Sequence, residues 1–246
     1  MRRPPAVLLF FSLLTVTGCA ALRPPPPSTR EAETALAAVA AFNAEVRTFK
    51  GTGTIELVRD GTRQVGRMVW VGKVPAHLRV SLLDPVGRPL STLVTDGDRV
   101  AGRAGPGGDA FSASAANPSL KRVLGMPLRA REAIRLLAGQ VPTPEPYSVT
   151  LVGDRLRLHS RWNQLLEVVA LDPSRTRPMA VERFSGGDRR FRAEWGPMES
   201  GPEGVRIPTR IAVAGPDGTA RFDLRVDRFW VNQSLPAGAF VLEPPE

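Results

Sequence analysis

Short segments of alternating apolar and polar residues, separated by turn sequences, run through most of this chain and limit its fold more than any other feature. Side chains alternate between the two faces of a β-strand, so a period of two predicts strands with one buried face. About eleven consecutive antiparallel strands do not stay flat, and they curl or close. We predict strands over residues 52–57, 65–71, 77–83, 90–95, 147–152, 155–161, 165–171, 179–185, 189–195, 205–213 and 219–230, with 240–242 as a further edge strand.

A helical pattern precedes the first strand. Ser28 and Glu31 have the spacing of a capping box, which predicts a helix start at Ser28. Apolar residues then recur at intervals of three and four, so we expect an amphipathic helix over residues 28–49 that packs on the sheet. Its apolar stripe consists of Leu36, Val39, Phe42, Val46 and Phe49.

A second helical region separates the fourth and fifth strands. Residues 101–117 are rich in Gly, Ala and Ser and are expected to form a loop. Asn117 followed by proline is a helix start signal and Gly125 a stop signal, and a second short helix is expected over residues 129–138. The sequence therefore predicts a mainly β domain of the α+β class, with one leading helix and a two-helix insert.

The N-terminus has the organisation of an export signal. Arg2 and Arg3 precede a mainly apolar segment, residues 6–16, which is shorter than the about 20 residues that span a bilayer. The segment ends in the sequence VTGC, which resembles the bacterial lipobox and implies cleavage before Cys19 and a diacylglycerol on its sulfur. Cys19 is the only cysteine, so no disulfide is possible. An ordinary secretory signal with an incidental cysteine is the alternative.

These features divide the chain into three parts. We assign residues 1–18 to a lipoprotein signal peptide, residues 19–28 to the lipidated cysteine and a proline-rich tether, and residues 29–246 to the folded domain. The four prolines of the tether favour an extended polyproline II spacer. By resemblance to the enteric sorting rule, Ala20 in place of Asp indicates the outer membrane.

Residues that support catalysis or metal binding are sparse. The two histidines, His77 and His159, lie far apart in predicted strands. The sequence has no HExxH, GxSxG or P-loop motif and no Cys/His metal spacing. We therefore expect no enzyme, metal site or cofactor, and no nucleic-acid partner for an exported chain. The net charge of +9 is spread along the sequence, which fits attraction to anionic headgroups or a compositional bias of the genome.

Two short motifs and the order of elements resemble the LolB family of outer-membrane lipoprotein receptors. Residues 77–87, HLRVSLLDPVG, resemble the third strand and following loop of that family. Residues 123–128, VLGMPL, followed by a short helix ending at Gly139, resemble its helical insert. Residues 232–240 resemble instead the DUF4292-type LolB-like lipoproteins and the periplasmic carrier LolA.

The resemblance implies a fold and a function. The fold is an unclosed antiparallel β half-barrel of about eleven strands, with the helices as a lid over an apolar cavity. Family members accept lipoprotein acyl chains from LolA and pass them to the outer membrane, without nucleotide or metal. For this chain the implied partners are lipoprotein acyl chains or other lipids, the outer membrane and a LolA-like carrier. We expect a monomer held by lipid at the periplasmic face of the outer membrane.

The resemblance also implies site residues. The loop Pro85-Val86-Gly87 corresponds to the membrane-insertion loop, with Val86 at its tip, while an ordinary turn residue is the alternative for Val86. For each cavity residue the alternative is plain core packing, and a register slip of one residue would exchange the two faces. A filled core would leave a structural or assembly lipoprotein of the envelope. The expected cavity residues are Phe42, Ile55, Leu57, Met68, Trp70, Leu78, Val80, Leu82 and Leu93.

Overall fold

A computed structural model describes residues 24–104, 110–114, 117–124, 126–201 and 204–241. The predicted signal peptide, Cys19 and Gly125 lie outside the described residues. The helices are α1 (Arg30–Ala44), α2 (Lys121–Leu124) and α3 (Ala130–Leu137). The strands are β1 (Thr48–Arg59), β2 (Thr62–Lys73), β3 (His77–Leu83), β4 (Pro89–Thr95), β5 (Arg99–Ala104), β6 (Ala110–Ser114), β7 (Ser148–Val152), β8 (Arg155–His159), β9 (Leu165–Leu171), β10 (Pro178–Ser185), β11 (Asp188–Trp195), β12 (Met198–Ser200), β13 (Arg206–Pro208), β14 (Arg210–Ala214) and β15 (Arg221–Val231).

Thirteen of these strands form one antiparallel sheet that does not close on itself. Their order is β6-β5-β4-β3-β2-β1-β15-β14-β11-β10-β9-β8-β7, so β6 and β7 are its two edges. Strands β12 and β13 pair separately as a small hairpin. The predicted unclosed, mainly β architecture is confirmed, with a few more strands than the sequence indicates.

The pairing of β1 with β15 joins two halves of this sheet. Strands β1 to β6 are neighbours in the order of the chain, and so are most strands of the second half. The first strand and the last meet in between, from Phe49 opposite Val231 to Val58 opposite Arg221. A contact between residues so distant in sequence turns two meanders into one sheet.

One face of the sheet carries the core, and we call it the inner face. Most of its buried side chains pack in one cluster with buried residues of α1 and α3, including Val39 and Ile134. Apolar burial of this kind contributes about 25 cal/mol per Å². The helices therefore cover part of the inner face.

The first helix is shorter than predicted at both ends. Its N-cap is Thr29 and not Ser28, because the Thr29 hydroxyl oxygen accepts the N–H of Ala32 at 3.2 Å. The Ser28 hydroxyl instead accepts the N–H of Val149 at 3.0 Å. The helix ends at Ala44, and Phe49 lies in β1. Phe49 fits both a helical and an alternating pattern, and hydrogen bonding to the neighbouring strands decides for the strand.

Four further predictions are wrong in detail. The loop predicted over residues 101–117 contains most of β5 and all of β6. The strand predicted over residues 205–213 divides into β13 and β14 around Thr209. Residues 237–240 form a turn, and Val241 is not in a strand. Asn117 caps the third helix and not the second, since its side-chain oxygen accepts the N–H of Arg131 at 2.9 Å.

Two glycines allow aromatic rings to lie flat on the inner face. The Phe49 ring covers Gly72 on β2, and the Trp70 ring covers Gly51 on β1. A Cβ atom on Gly72 would be 2.3 Å from the Phe49 ring, and one on Gly51 would be 2.3 Å from the Trp70 ring. Phe229 on β15 completes the cluster, with its ring 6.2 Å from that of Phe49. These aromatic side chains hold the two halves of the sheet together across the β1–β15 seam.

The cluster predicts a position-specific effect of adding one methyl group. We expect Gly72→Ala to lower the free energy of unfolding by about 1–3 kcal/mol, because the new Cβ overlaps the Phe49 ring. Gly66→Ala is the matched control on the same strand, since its Cβ would meet only a carbonyl oxygen at 3.9 Å. Urea unfolding of both variants measures the difference. Equal losses would show that the ring contact is not the cause.

Candidate functional site

The strand register brings the predicted cavity residues of β1 to β4 onto the inner face. Met68 lies opposite Leu82, and Trp70 lies opposite Val80. Val80 in turn lies opposite Leu93 on β4. Directly opposed residues point to the same side of a sheet, so these side chains share one face with the core.

Burial divides these nine residues into two groups. Five of them are core residues with at most 9% of their surface exposed: Phe42, Ile55, Met68, Trp70 and Leu78. The other four, Leu57, Val80, Leu82 and Leu93, are only partly buried. We call these four residues the inner apolar surface. Three of them border the main core cluster, and Leu93 borders a second cluster formed by Val100, Leu120 and Ala133. Part of the inner face is thus filled, and part is apolar but incompletely covered.

Trp70 adds one polar group to this face. Its indole Nε1–H is buried and has no hydrogen-bond acceptor among the described residues. A buried donor without a partner costs about 1–3 kcal/mol.

The loop after β3 presents Val86 on a rigid turn. One carboxylate oxygen of Asp84 accepts the N–H groups of Val86 and Arg88 at 2.9 and 2.8 Å. The Nε of Arg88 donates to the other oxygen at 2.8 Å. The backbone N–H of Arg88 is the main cause of a lowered pKa of the Asp84 carboxyl group. Val86 itself is 74% exposed, and it lies between Pro85 and Gly87 as the sequence motif requires.

This loop lies at one end of the strands, together with several other turns. Because all neighbouring strands of the sheet are antiparallel, β1, β3, β8, β10 and β14 run in the same direction. Their C-terminal ends therefore form one rim. We call it the Val86 rim; it consists of the turns at residues 60–61, 84–88, 160–164, 186–187 and 215–220.

An ion-pair network in the second half of the sheet was not predicted from the sequence. Glu167 on β9 lies opposite Arg183 on β10, and their carboxylate and guanidinium groups are 3.1 Å apart. Arg190 on β11 contacts Glu132 of α3 at 2.9 Å. The network borders a polar cleft of about 430 Å³ beside α3, which Arg135 also lines. A charged residue at the inward position of an alternating strand, as at Glu167, is the signal that points to such a network.

Burial gives Glu167 unusual titration behaviour. Loss of water raises the pKa of its carboxyl group from 4.5 to about 7, although the nearby Arg183 acts in the opposite direction. The Oε1 atom has no hydrogen-bond partner in the described part of the chain, which is consistent with a carboxyl group that is easily protonated.

Candidate catalytic and metal-binding groups are dispersed in the described residues. No three His, Cys, Asp or Glu side chains there lie close enough to share a metal ion. The ring of His77 lies 5.1 Å from that of Phe240 at a tilted angle, while His159 lies beside Thr150. None of the described helices is long and apolar enough to cross a bilayer.

The unclosed sheet with helices over its inner face defines a LolA/LolB-like fold. Similar solved structures include a LolA superfamily protein from Nitrosomonas europaea, at 16% identity and a TM-score of 0.57, over 86% of this chain and 97% of that one. An outer membrane lipoprotein-sorting protein domain from Vibrio parahaemolyticus is 13% identical, with a TM-score of 0.61 over 85% of this chain and 97% of that domain.

A DUF1329 family protein from Desulfovibrio piger is 10% identical, with a TM-score of 0.62 over 86% of this chain and 98% of that one. No family model matches the chain, and no curated protein matches its sequence significantly. The likeness at these identities is one of fold.

The buried carboxyl group predicts a pH-dependent stability. Between the unfolded pKa near 4.5 and the folded pKa near 7, the folded state retains a proton that the unfolded state loses, so the free energy of unfolding falls as pH rises. We expect Glu167→Gln to remove this fall, which is up to about 3 kcal/mol. Urea unfolding of both proteins from pH 4 to pH 8 measures it. Other titrating groups are common to both, so parallel profiles would contradict the prediction.

Proposed function

We propose that this chain is a lipid-anchored protein of the outer membrane that binds acyl chains on its inner face. It accepts lipoproteins from a LolA-like periplasmic carrier and inserts them in the outer membrane. Its anchor is the diacylglycerol on Cys19, and its action is binding and transfer without catalysis.

The incompletely covered inner apolar surface is the observation that carries this proposal. Leu57, Val80 and Leu82 face the interior of the sheet, yet they remain partly accessible beside a closed core. Acyl chains are apolar and flexible, so a surface of this kind binds them through burial of apolar area. The buried Nε1–H of Trp70 lies on the same face and has no acceptor among the described residues.

The Val86 turn supports the transfer step. A rigid turn that exposes an apolar tip at the rim of the sheet is suited to insertion into the headgroup region of a membrane. The hydrogen bonds of Asp84 hold the tip in place before the membrane is met, so little conformational entropy is lost on insertion. Two structures of similar fold are described as a LolA superfamily protein and a lipoprotein-sorting domain, which agrees with this role.

A structural lipoprotein without transfer activity is the second candidate. It is favoured by the burial of Ile55, Met68 and Leu78, which pack in the main core cluster. That function needs no exchange of lipid, so the two candidates differ in a measurable activity.

The transfer assay separates these candidates. The mature chain with Cys19→Ser is mixed with a LolA-like carrier loaded with an acylated lipoprotein, and the cargo is followed by co-purification. We expect movement of the cargo, and we expect Leu82→Glu to abolish it because a carboxylate then lies on the inner apolar surface.

Val65→Glu is the matched control. Val65 lies on the neighbouring strand β2, on the opposite face of the sheet, and is 59% exposed. Circular dichroism checks that both variants fold. Absence of transfer by the unsubstituted chain would favour the structural candidate.

Delivery to membranes tests Val86 separately. We expect Val86→Glu to accept cargo normally but to deliver it to vesicles about tenfold more slowly, because a charged tip does not enter the headgroup region. Val152→Glu is the control: Val152 is 56% exposed but lies at the opposite rim, at the end of β7. Equal delivery by the two variants would remove Val86 from the mechanism.

A further inference from the structure

Two large aromatic side chains are exposed beside the tether, where it meets the folded domain. Tyr147 is 70% exposed and Trp162 is 57% exposed. Both border one recess of about 570 Å³, together with Arg161 and the tether residues 24–28. We call Tyr147, Arg161 and Trp162 the Trp162 patch.

The geometry of the turn holds Trp162 outward. The hydroxyl oxygen of Ser160 accepts the N–H groups of Trp162 and Gln164, each at 3.2 Å. Asn163 has a φ of 57°, which completes the tight turn. The Arg161 guanidinium lies 4.6 Å from the centre of the Trp162 ring. The aromatic ring is thus held in a defined position with a cation beside it.

The patch lies on the same rim as Val86. The turn at residues 160–164 follows β8, and the turn at residues 84–88 follows β3, and these two strands run in the same direction. The turns belong to opposite halves of the sheet. One rim therefore carries an exposed apolar or aromatic residue in each half.

The tether brings the predicted lipid anchor to this patch. The Ser28 hydroxyl accepts the N–H of Val149 at 3.0 Å, which fixes the end of the tether where β7 begins. Five residue steps separate Cys19 from Pro24, so even a fully extended chain spans at most about 18 Å between them. Lipid on Cys19 would therefore hold Pro24, which borders the same recess as the Trp162 patch, close to the bilayer surface.

We propose that the Trp162 patch is a second membrane contact, and that its partner is the headgroup region of the bilayer that holds Cys19. Trp and Tyr favour this region because their rings are apolar and their edges form hydrogen bonds. Arg161 pairs with lipid phosphate while its stem stays on the Trp162 ring. The patch in one half of the sheet and Val86 in the other half together orient the Val86 rim toward the membrane. This inference rests on the lipid anchoring in the proposed function.

Fluorescence quenching tests the contact in the anchored protein. The acylated chain is reconstituted into vesicles of phosphatidylethanolamine and phosphatidylglycerol with brominated acyl chains, which quench nearby indoles. We expect quenching that disappears in Trp162→Phe, because Trp70 and Trp195 are buried and Trp230 lies near the opposite rim. Equal quenching in the parent and in Trp162→Phe would overturn the inference.

A binding measurement without the anchor gives the second test. For the mature chain with Cys19→Ser, we expect Trp162→Glu to weaken flotation with the same vesicles by about tenfold, the affinity equivalent of burying one aromatic side chain. Val152→Glu at the opposite rim should leave flotation unchanged, and equal losses would overturn the patch. Quenching without cargo transfer would refute the transfer activity and leave the anchored patch in place. If cargo is transferred but the quenching does not depend on Trp162, the patch alone is refuted.

Discussion

The pairing of β1 with β15 is the contact on which the rest of the structure depends. It joins the first and the last strand, and Asn232 reinforces it by accepting the N–H of Arg47 and donating to the carbonyl of Glu45. Without this pairing the two meanders would each have another exposed edge, and the core cluster would be divided. The flat aromatic rings over Gly51 and Gly72 add side-chain contact to the same seam.

The two halves of the inner face are covered unequally. In the second half, α1 and α3 pack on the strands, and the Glu167 carboxylate, which pairs with Arg183, is buried. In the first half, Leu57, Val80, Leu82 and Leu93 remain partly accessible. A face of uniform burial would have only a structural role. The unequal face combines a closed core with apolar area that is partly accessible, and the proposed function is based on that accessible area.

Antiparallel order has a second consequence, for the rim. Every second turn lies at the same end of the strands, so Val86 and Trp162 are exposed at one rim although 76 positions separate them in the numbering. Both are held by side-chain hydrogen bonds to the turn backbone, from Asp84 in one case and Ser160 in the other. An anchored chain can therefore present the rim to the membrane as a fixed surface.

The sequence by itself determined most of the local elements and the facing of their side chains. The bounds of β3 and β9 agree with the alternating pattern, which depends only on neighbouring residues. Strand β6 escaped prediction because Ala and Ser are weak strand formers, and pairing with β5 makes it a strand. The tertiary structure alone decided that β1 meets β15, that Asn117 caps α3, that Glu167 is buried beside Arg183, and that Trp162 shares a rim with Val86. The physical reason is that these outcomes depend on contacts between distant segments, and a local pattern of apolar residues carries no information about which segments meet.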